Sequence, residues 1–254
     1  MAALRKPLQG LWNVVRFNWH FYLVALGAAL VLAAGCVAAP PAVRHYLALA
    51  LGVVLVPVVA SLLVTAYVYD FSDLYRLSWL PVAPVANSAL LTINAGFDEI
   101  SPMVAQSYSP GSLQVLDFYD PARHTEVSIE RARRASHPYP GTRAVDTRAP
   151  LPLPSNSVDV TFAFLAAHEI RDAQERAGFF REIERVSKPH GRIVVTEHLR
   201  DAANFLAYTV GFLHFHSRRS WLATFAQAGL CVEQEIKVTP FVTSFILRKN
   251  GSAA

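Results

Sequence analysis

The fold can be predicted from two stretches of the sequence. They are DTRAPLPLPSNSVDV at residues 146–160 and FREIERVSKPHGRIVVT at residues 180–196. Residues 158–165 and 191–196 are rich in β-branched and aromatic side chains, which predicts two buried strands. Between them, residues 174–186 place apolar side chains at helical spacing, at Ala177, Phe180 and Ile183 and, less regularly, at Phe179 and Val186. A strand, an amphipathic helix and a further strand form the repeating unit of a parallel sheet.

Three more strands are predicted upstream of this unit, at residues 90–93, 113–116 and 143–145. Downstream, residues 231–238 and 241–247 are separated by only two residues, which predicts an antiparallel hairpin. We therefore expect an α/β fold with a Rossmann-like, seven-stranded, mostly parallel sheet and a C-terminal antiparallel β-hairpin. Ligands bind such sheets at the carboxyl ends of the strands, where this chain places Asn94, Ala95, Gly96, Asp117 and Asp146.

Two long apolar segments precede the predicted sheet. Residues 21–39 and 46–69 contain no charged side chain, and a bilayer core needs about 20 apolar residues in helical form. We predict two transmembrane helices over about these ranges, with Pro57 as a kink in the second. A secretory signal is the alternative for the first segment, because Ala33-Ala34-Gly35-Cys36 loosely resembles a lipoprotein cleavage site.

The charges that flank these segments predict their orientation. Arg5, Lys6 and Arg16 precede the first segment, whereas Arg44 alone lies between the two, and this places the N-terminus inside the cell. Two crossings then place the rest of the chain inside as well. The predicted organisation is an N-terminal membrane anchor at residues 1–69, a linker at 70–88 and a domain at 89–250.

The composition limits the classes of partner and of metal site that we expect for this protein. Hydrophobic residues make up 53% of the 254 residues and charged residues 17%, a balance typical of a membrane protein. The formal charge of +4 is partly carried by the membrane flanks, so it implies no nucleic-acid partner. The two cysteines, Cys36 and Cys231, form neither a disulfide framework nor a cysteine zinc site. No feature of the composition favours a particular oligomeric state.

The string from Asp146 to Val160, continued from Phe180 to Arg192, resembles the class I S-adenosylmethionine-dependent methyltransferases, and more narrowly their quinone-biosynthesis branch. The resemblance covers about residues 88–250 and implies S-adenosyl-L-methionine as the cofactor. It implies that the bend Asn94-Ala95-Gly96 approaches the methionine and ribose portions of the cofactor. It also implies that Asp117 accepts hydrogen bonds from the ribose hydroxyls and Asp146 from the adenine amino group. For both acids a turn or helix cap is the structural alternative.

The first motif departs from the family pattern. It has a single glycine, Gly96, where the family has two or three, and it lacks the family's preceding acidic residue. Asn tolerates the left-handed backbone, so Asn94 is a substitute for one glycine, and Asp98 or Glu99 is a substitute for the acid. If the motif does not hold the cofactor, the chain is instead a non-catalytic, membrane-anchored binding or scaffold protein.

Histidines and carboxylates recur near predicted strand ends, as His168-Glu169, Glu197-His198 and His214-Phe215-His216. A neutral imidazole beside a carboxylate accepts a proton near neutral pH. We therefore predict catalytic roles for His168, Glu169 and His198, and substrate binding by His214, His216 and Arg171. The alternative is a zinc or iron site on these pairs, as in a metal-dependent hydrolase. Since no sequence-local ligand pattern is present, we predict no metal.

Together, the resemblance and the two apolar segments imply a methyltransferase in the cell membrane, a multi-pass protein whose catalytic domain is cytoplasmic. The expected partners are the lipid bilayer and a lipophilic or membrane-associated acceptor, such as a quinone, a phenol or a lipid head group. Residues 204–216 are apolar and are followed by Arg218 and Arg219, so they are expected to lie against the membrane, with a core helix as the alternative.

Overall fold

Seven strands form a single sheet in the computed structural model, which describes residues 5–81 and 87–251. Their order across the sheet is β3-β2-β1-β4-β5-β7-β6. Strands β1 to β5 pair in parallel, whereas β7 runs antiparallel to both β5 and β6. The α/β fold predicted from the sequence, including its C-terminal hairpin, is confirmed. The strands are β1 (Ala89–Asn94), β2 (Ser112–Asp117), β3 (Arg143–Ala144), β4 (Val158–Phe164), β5 (Ser187–His198), β6 (Leu230–Thr239) and β7 (Val242–Lys249).

Strand β5 begins at Ser187 and not at Gly191, where the sequence pattern predicted its start. Val158 pairs with Ser187, and the regular ladder with β4 starts only at Arg192, after a shift of register. Gly191 lies in this irregular stretch, where a Cβ atom would come within 3.0 Å of the backbone oxygens of Val158, Asp159 and Lys188. The close approach of the two chains therefore requires glycine at this position.

Helices cover both faces of the sheet. On one face, Phe179, Phe180 and Ile183 pack against Ile93 and other strand residues. On the other face, Leu90, Phe162 and Val194 form a second core with residues from the N-terminal segment. The helices are α1 (Gln9–Phe17), α2 (Trp19–Ala38), α3 (Pro41–Ala66), α4 (Ile100–Tyr108), α5 (Val127–Ala135), α6 (Ala173–Val186), α7 (Ala202–Tyr208) and α8 (Arg218–Gln227).

The second core includes part of the region that the sequence predicted to be a linker. A π-helical turn at Tyr67–Phe71 and a 3₁₀ turn at Leu74–Arg76 follow α3 directly. Val68 of the π-helical turn and Leu74, Leu77 and Leu80 of the predicted linker are buried against the sheet. Residues 82–86 of the predicted linker, including Pro84, lie outside the described residues. The described part of the region thus docks on the domain and does not merely connect it to α3.

Helices α2 and α3 are long and apolar enough to cross a bilayer, because an 18-residue stretch has a mean hydropathy of 2.3 within Trp19–Ala38 and of 2.8 within Pro41–Arg76. Pro57 lies inside α3. Most large apolar side chains on the two helices are exposed, and Val24, Val31 and Val53 are each more than 60% exposed. The two helices pack against each other but bury almost none of this surface elsewhere in the described chain.

Helix α1 is fixed to the rest of the molecule by its first turn. The carboxylate of Asp70 accepts hydrogen bonds from the backbone N–H groups of Gly10 and Leu11, each at 2.8 Å. These N–H groups have no partner within a helix, so Asp70 supplies a cap from the distant π-helical turn. At the other end, the Arg131 guanidinium of α5 donates to the carbonyl of Phe17 at 2.8 Å. The first turn of α1 is therefore held by the π-helical turn, and its last residue is held by α5.

Candidate functional site

A cavity of about 330 Å³ opens at the carboxyl ends of the parallel strands. Asn94 and Ala95 line it at the end of β1, Leu165 and Ala166 line it after β4, and His198 lines it at the end of β5. This is the edge where open α/β sheets bind ligands. A further part of the wall comes from the N-terminal segment, through Gly10, Asn13, Val14, Phe17, Asn18, Tyr69 and Tyr75, and another part comes from α5 through Ser128, Ile129 and Ala132.

The predicted bend after β1 is present. Gly96 has a φ of +89°, a conformation that favours glycine, and the Oδ1 atom of Asn94 accepts a hydrogen bond from the Gly96 N–H at 3.0 Å. Asn94 is buried, and its Nδ2 atom finds no hydrogen-bond partner within residues 5–81 and 87–251. Asn94 and Ala95 line the cavity, whereas Gly96 packs against Tyr119 and Arg133. Asn94 therefore contributes to the cavity wall a side-chain amide whose nitrogen has no hydrogen-bond partner in the described chain.

Asp117 and Asp146 stand at or just after strand ends, as predicted, and each caps a local turn. The Asp117 carboxylate accepts from the backbone N–H of Tyr119 at 2.9 Å and forms an ion pair with Arg133. The Asp146 carboxylate accepts from the backbone N–H of Arg148 at 2.9 Å and is largely exposed. The capping role considered as the alternative for both acids is thus present in this structure. One carboxylate oxygen of Asp117 is bound by the guanidinium of Arg133, a side chain that is 38% exposed.

Asp98 and Glu99, the predicted substitutes for the missing acid, hold other parts of the protein. The Asp98 carboxylate caps α4 by accepting from the backbone N–H groups of Ile100 and Ser101. The Glu99 carboxylate lines the cavity but pairs with Arg5 at 2.7 Å and accepts from the Tyr75 hydroxyl at 3.0 Å. Gln9 and Asn13 of α1 also donate to Glu99. Glu99 therefore joins α1 to the sheet.

His168, Glu169 and His214 converge in the cavity as the sequence predicted. The Nε2 atoms of His168 and His214 lie 3.4 Å and 3.3 Å from the same oxygen, Oε1 of Glu169. The Nδ1 atom of His168 lies 2.7 Å from Oε2 of the fully buried Glu197. The Nδ1 atom of His214 lies 2.8 Å from Oε1 of Glu126. These five side chains form one chain of alternating carboxylates and imidazoles, which we call the His-Glu chain.

The carboxylates decide the charge of these imidazoles. Burial disfavours the charged form of His168, but Glu197 and Glu169 outweigh burial and raise the pKa of His168 to about 10. Burial likewise opposes ionisation of Glu169, but His168 and His214 hold its pKa well below its usual range. The sequence interpretation of His168 as a neutral base does not fit this arrangement, because two carboxylates on one imidazole favour the protonated ring.

His198 is the neutral imidazole of the cavity. Its Nδ1 atom lies 2.9 Å from the Phe241 carbonyl and 3.1 Å from Oδ1 of Asn204, which are both acceptors, so Nδ1 carries the proton. Its Nε2 atom then accepts from the hydroxyl of Tyr69 at 2.8 Å. Burial is the main cause that lowers the pKa of His198 to about 4. Tyr69 and His198 thus form an aligned donor–acceptor pair at the cavity wall.

His216 and Arg171, predicted to bind substrate, do not line the cavity. The Nε2 atom of His216 accepts from the buried guanidinium of Arg176 at 3.0 Å. Burial and the charge of Arg176 lower the pKa of His216 to about 3. Arg171 donates to the backbone carbonyls of His168 and His214. In this structure His216 ties its loop to Arg176 of α6, and Arg171 holds together the two segments that carry the cavity histidines.

Several cavity residues were not found from the sequence. Tyr69, Tyr75 and Asn13 belong to the segments predicted to be anchor or linker, and Glu126 precedes α5. No local motif marks these positions, because their partners lie far away in the chain: Tyr69 meets His198 and Tyr75 meets Glu99.

The strand order, the C-terminal hairpin and the cavity at the carboxyl ends define the class I S-adenosylmethionine-dependent methyltransferase fold. Residues 116–195 match a family model described as "Methyltransferase domain". S-adenosylmethionine is accordingly the cofactor of this class of domain. The matched region runs from the end of β2 to β5 and includes Asp117, Asp146, His168 and Glu169.

Solved structures agree with this class of fold. A S-adenosylmethionine-dependent methyltransferase from Aquifex aeolicus is 15% identical over 75% of this chain and 97% of its own, with a TM-score of 0.52. The [4+2]-cyclase SpnF is 18% identical over 70% of this chain and 80% of its own, with a TM-score of 0.51. None of the curated proteins compared matches the sequence of this chain. At these identities the likeness shows the fold alone.

The residues around the cavity fit S-adenosylmethionine at one end of the site. A cavity of this volume is in the range that holds small molecules, and the unpartnered Asn94 amide and the Gly96 bend lie where the fold places the cofactor. The buried Asp117 carboxylate is an acceptor suited to ribose hydroxyls once Arg133 turns away from it. Asn94 and Ala95, which line the cavity, and Asp117, which lies outside its lining at the end of the neighbouring strand β2, are the residues that would hold the cofactor.

Proposed function

We propose that the protein is a membrane-anchored S-adenosylmethionine-dependent methyltransferase that acts on a lipophilic or membrane-associated small molecule, such as a quinone, a phenol or a lipid head group. The observation that carries the proposal is the composition of the cavity wall. The bend Asn94-Ala95, the Tyr69–His198 pair and helix α1 all face the same space. Cofactor residues, a proton acceptor and the N-terminal segment thus meet at one site.

The surface of the N-terminal segment supports the membrane part of the proposal. Helices α2 and α3 expose long rows of apolar side chains, and soluble monomers rarely expose patches of that size. Residues 204–216, predicted to lie against the membrane, expose Phe205, Leu206, Val210 and Leu213. The α7 helix in this segment packs beside α3. A bilayer that surrounds α2 and α3 would therefore also meet this apolar surface.

The Tyr69–His198 pair gives the reaction a route for the acceptor's proton. When bound, S-adenosylmethionine supplies a methyl group as an electrophile on a sulfonium. An acceptor hydroxyl in the cavity would give its proton to the Tyr69 oxygen as its own oxygen takes the methyl group, whose bond to the sulfonium sulfur breaks. The Tyr69 proton passes to Nε2 of His198, which lies 2.8 Å away and is neutral. His198 would carry the proton only transiently, because burial disfavours its charged form, and Tyr69 would be unchanged.

Two measurements on the full chain in detergent or nanodiscs test this function. Isothermal titration should show S-adenosylmethionine binding, and Asp117→Asn should weaken it about 10- to 100-fold, because a charge-assisted acceptor contributes about 1.5–3 kcal/mol. Lipid extracts of cells with and without the protein should differ by a compound one methylene heavier. Tyr69→Phe should lower turnover of that compound about 100-fold while leaving cofactor affinity unchanged.

A scaffold protein that keeps the fold without binding the cofactor is the second candidate, and the engagement of the acids favours it. Arg133 occupies Asp117, and Arg5 occupies Glu99, in the conformation described. If the folded wild-type chain produces no heat with S-adenosylmethionine, the methyltransferase proposal is rejected in favour of the scaffold.

A further inference from the structure

The His-Glu chain contains more contacts between ring nitrogens and carboxylate oxygens than two neutral imidazoles can make as hydrogen bonds. A neutral imidazole has one N–H group, yet His168 and His214 each face a carboxylate oxygen at both ring nitrogens. Either each ring carries two protons, or a cation replaces the Nε2 protons on the side of Glu169. Two imidazolium protons and one divalent cation give the same total charge against the three carboxylates. The cluster can therefore exchange two protons for one divalent ion.

The positions of the ligand atoms fit the second possibility. Two ligands bound to one tetrahedral zinc ion at about 2.0–2.1 Å are about 3.4 Å apart. Oε1 of Glu169 lies 3.4 Å from Nε2 of His168 and 3.3 Å from Nε2 of His214. One ligand atom from each of the three residues lies within 4.8 Å of the others. The rings of His168 and His214 are nearly perpendicular, at 82°, so both nitrogens point toward the carboxylate from different directions.

We propose that His168, Glu169 and His214 bind a divalent transition metal ion, zinc or iron(II), at the wall of the cavity. Two histidines and one carboxylate are the ligand set of catalytic zinc sites and of open iron(II) sites. Three protein ligands leave at least one coordination position for water or for an oxygen of the ligand in the cavity. All three residues line that cavity.

The outer contacts of the two imidazoles support the same assignment. Histidines that bind metal usually donate their other ring N–H to a carboxylate or a carbonyl, which fixes the ring and raises its basicity. Here Nδ1 of His168 meets Glu197, which also accepts from the His168 backbone N–H at 3.2 Å. Nδ1 of His214 meets Glu126. Both rings are therefore oriented with Nε2 free to face a metal ion and Nδ1 held by a carboxylate.

The chemical role of the ion rests on the proposed methyl transfer, although the site itself does not. An acceptor hydroxyl bound to the open position would lose its proton more readily, as a metal-bound water does. The Tyr69–His198 pair lies on the same cavity and would take that proton. The acceptor class that fits best is then a phenol, a hydroquinone or an enol, whose oxygen can bind the ion.

The test is the metal content of the full-length protein. It should be purified in detergent through an affinity tag that contains no histidine, without chelators, and measured by elemental mass spectrometry. Wild type should contain about one zinc or iron ion per chain, and the element found identifies the ion. Glu169→Gln and His214→Asn should contain less than about a tenth of that. Glu126→Gln should retain the site but bind zinc about 10- to 100-fold more weakly.

His216→Gln is the matched control, because His216 lies in the same segment but bonds Arg176. It should retain about one ion per chain, and thermal melting should show that all variants are folded. Cobalt(II) added to metal-free wild type should give the visible absorption bands of a low-symmetry site, and Glu169→Gln should not. A wild type that holds no metal and gives no cobalt bands overturns the proposal and leaves the two-imidazolium network. Titration of the same metal-free sample with S-adenosylmethionine tests the proposed function separately.

Discussion

Arg133 is the side chain that most directly opposes cofactor binding. Its guanidinium pairs with Asp117 and lies 5.0 Å above the ring of Tyr119, next to the Gly96 bend. A partly exposed ion pair of this kind stabilises a protein by about 0.2–1 kcal/mol. If Asp117 binds the ribose, as the sequence analysis predicts, the cofactor must displace this ion pair before the ribose can reach the carboxylate. We therefore expect Arg133→Gln to bind S-adenosylmethionine up to about fivefold more tightly, as measured by titration.

Arg134→Gln is the control for this change. Arg134 is the next residue in α5, and its partner is Glu130 on the exposed face of the same helix. Its loss removes one positive charge without freeing Asp117, so the affinity should stay at the wild-type value. Equal tightening by both variants would mean that overall charge, and not the release of Asp117, controls binding.

His198 makes the folding stability of the protein depend on pH in the acidic range. Its folded-state pKa of about 4 lies below the value of 6.5 for an ordinary histidine, so the unfolded chain binds the proton first as the pH falls. Its contribution to stability is complete above about pH 6.5 and is lost progressively toward pH 4. The difference between the folded-state and unfolded-state pKa of His198 corresponds to about 3 kcal/mol in the free energy of unfolding at most. The titratable groups nearest to it are Tyr69 and Tyr208, with His168 and Asp201 further away.

Thermal melting in detergent at a series of pH values checks this expectation. Between pH 7 and pH 5 the melting temperature of wild type should fall more steeply than that of His198→Gln, which has lost the titrating ring. His190→Gln should follow wild type, because His190 is exposed in the turn of β5. Parallel curves for wild type and His198→Gln would show that the buried imidazole is not the group responsible.

At the scale of elements, the docking of α1 depends on one close contact. A Cβ atom at Gly10 would lie 2.3 Å from Cβ of Tyr69, on the π-helical turn that also supplies the Asp70 cap. Gly10→Ala should therefore separate α1 from this turn, at a cost of about 1–3 kcal/mol. Hydrogen exchange should become faster over residues 9–17, and the cavity should lose one wall.

Gly27→Ala is the matched control for Gly10→Ala. Gly27 lies in α2, and a Cβ atom there would meet no atom within 4 Å in the described structure. Alanine at that position should leave the exchange of residues 9–17 unchanged. If Gly10→Ala exchanges like wild type, α1 can shift without losing its contacts, and the cavity wall is more tolerant than the geometry indicates.

The elements show which parts of the structure the sequence could predict. Strands β1, β2 and β4 follow from short apolar runs, because consecutive side chains in them are buried on both faces of the sheet. Helix α6 follows from helical periodicity, because it buries one stripe of its own side chains. The position of His168 and Glu169 at the ligand-binding edge could also be predicted, since strand ends meet at one edge, whereas His214 reaches them from the end of a 3₁₀ turn, Thr209–His214. Helix α1 could not be placed in the site, because Asp70, Glu99 and Arg131 hold it through long-range contacts. The second carboxylate on each imidazole was missed for the same reason.

In the molecule as a whole, the position of α3 determines where the cavity lies relative to the two apolar helices. Helix α3 continues without a break into the turn that carries Tyr69 and Asp70, so the cavity lies next to the end of the second apolar helix. If α2 and α3 span the bilayer, the cavity lies at the membrane surface on the side of the C-terminal domain. A lipophilic acceptor can then reach the cavity without leaving the membrane surface for long.

The orientation of the two helices decides whether this site can work, because S-adenosylmethionine is made and kept inside cells. Three basic residues before α2 and one between α2 and α3 predict that both chain ends are cytoplasmic. A fluorescent protein that matures only in the cytoplasm should therefore be bright when fused after residue 254. Alkaline phosphatase fused at that point should be inactive. As a control, the same phosphatase fused after Pro40, between the two helices, should be active. The opposite pattern would place the cavity away from the cofactor and exclude the methyltransferase function, whatever the fold.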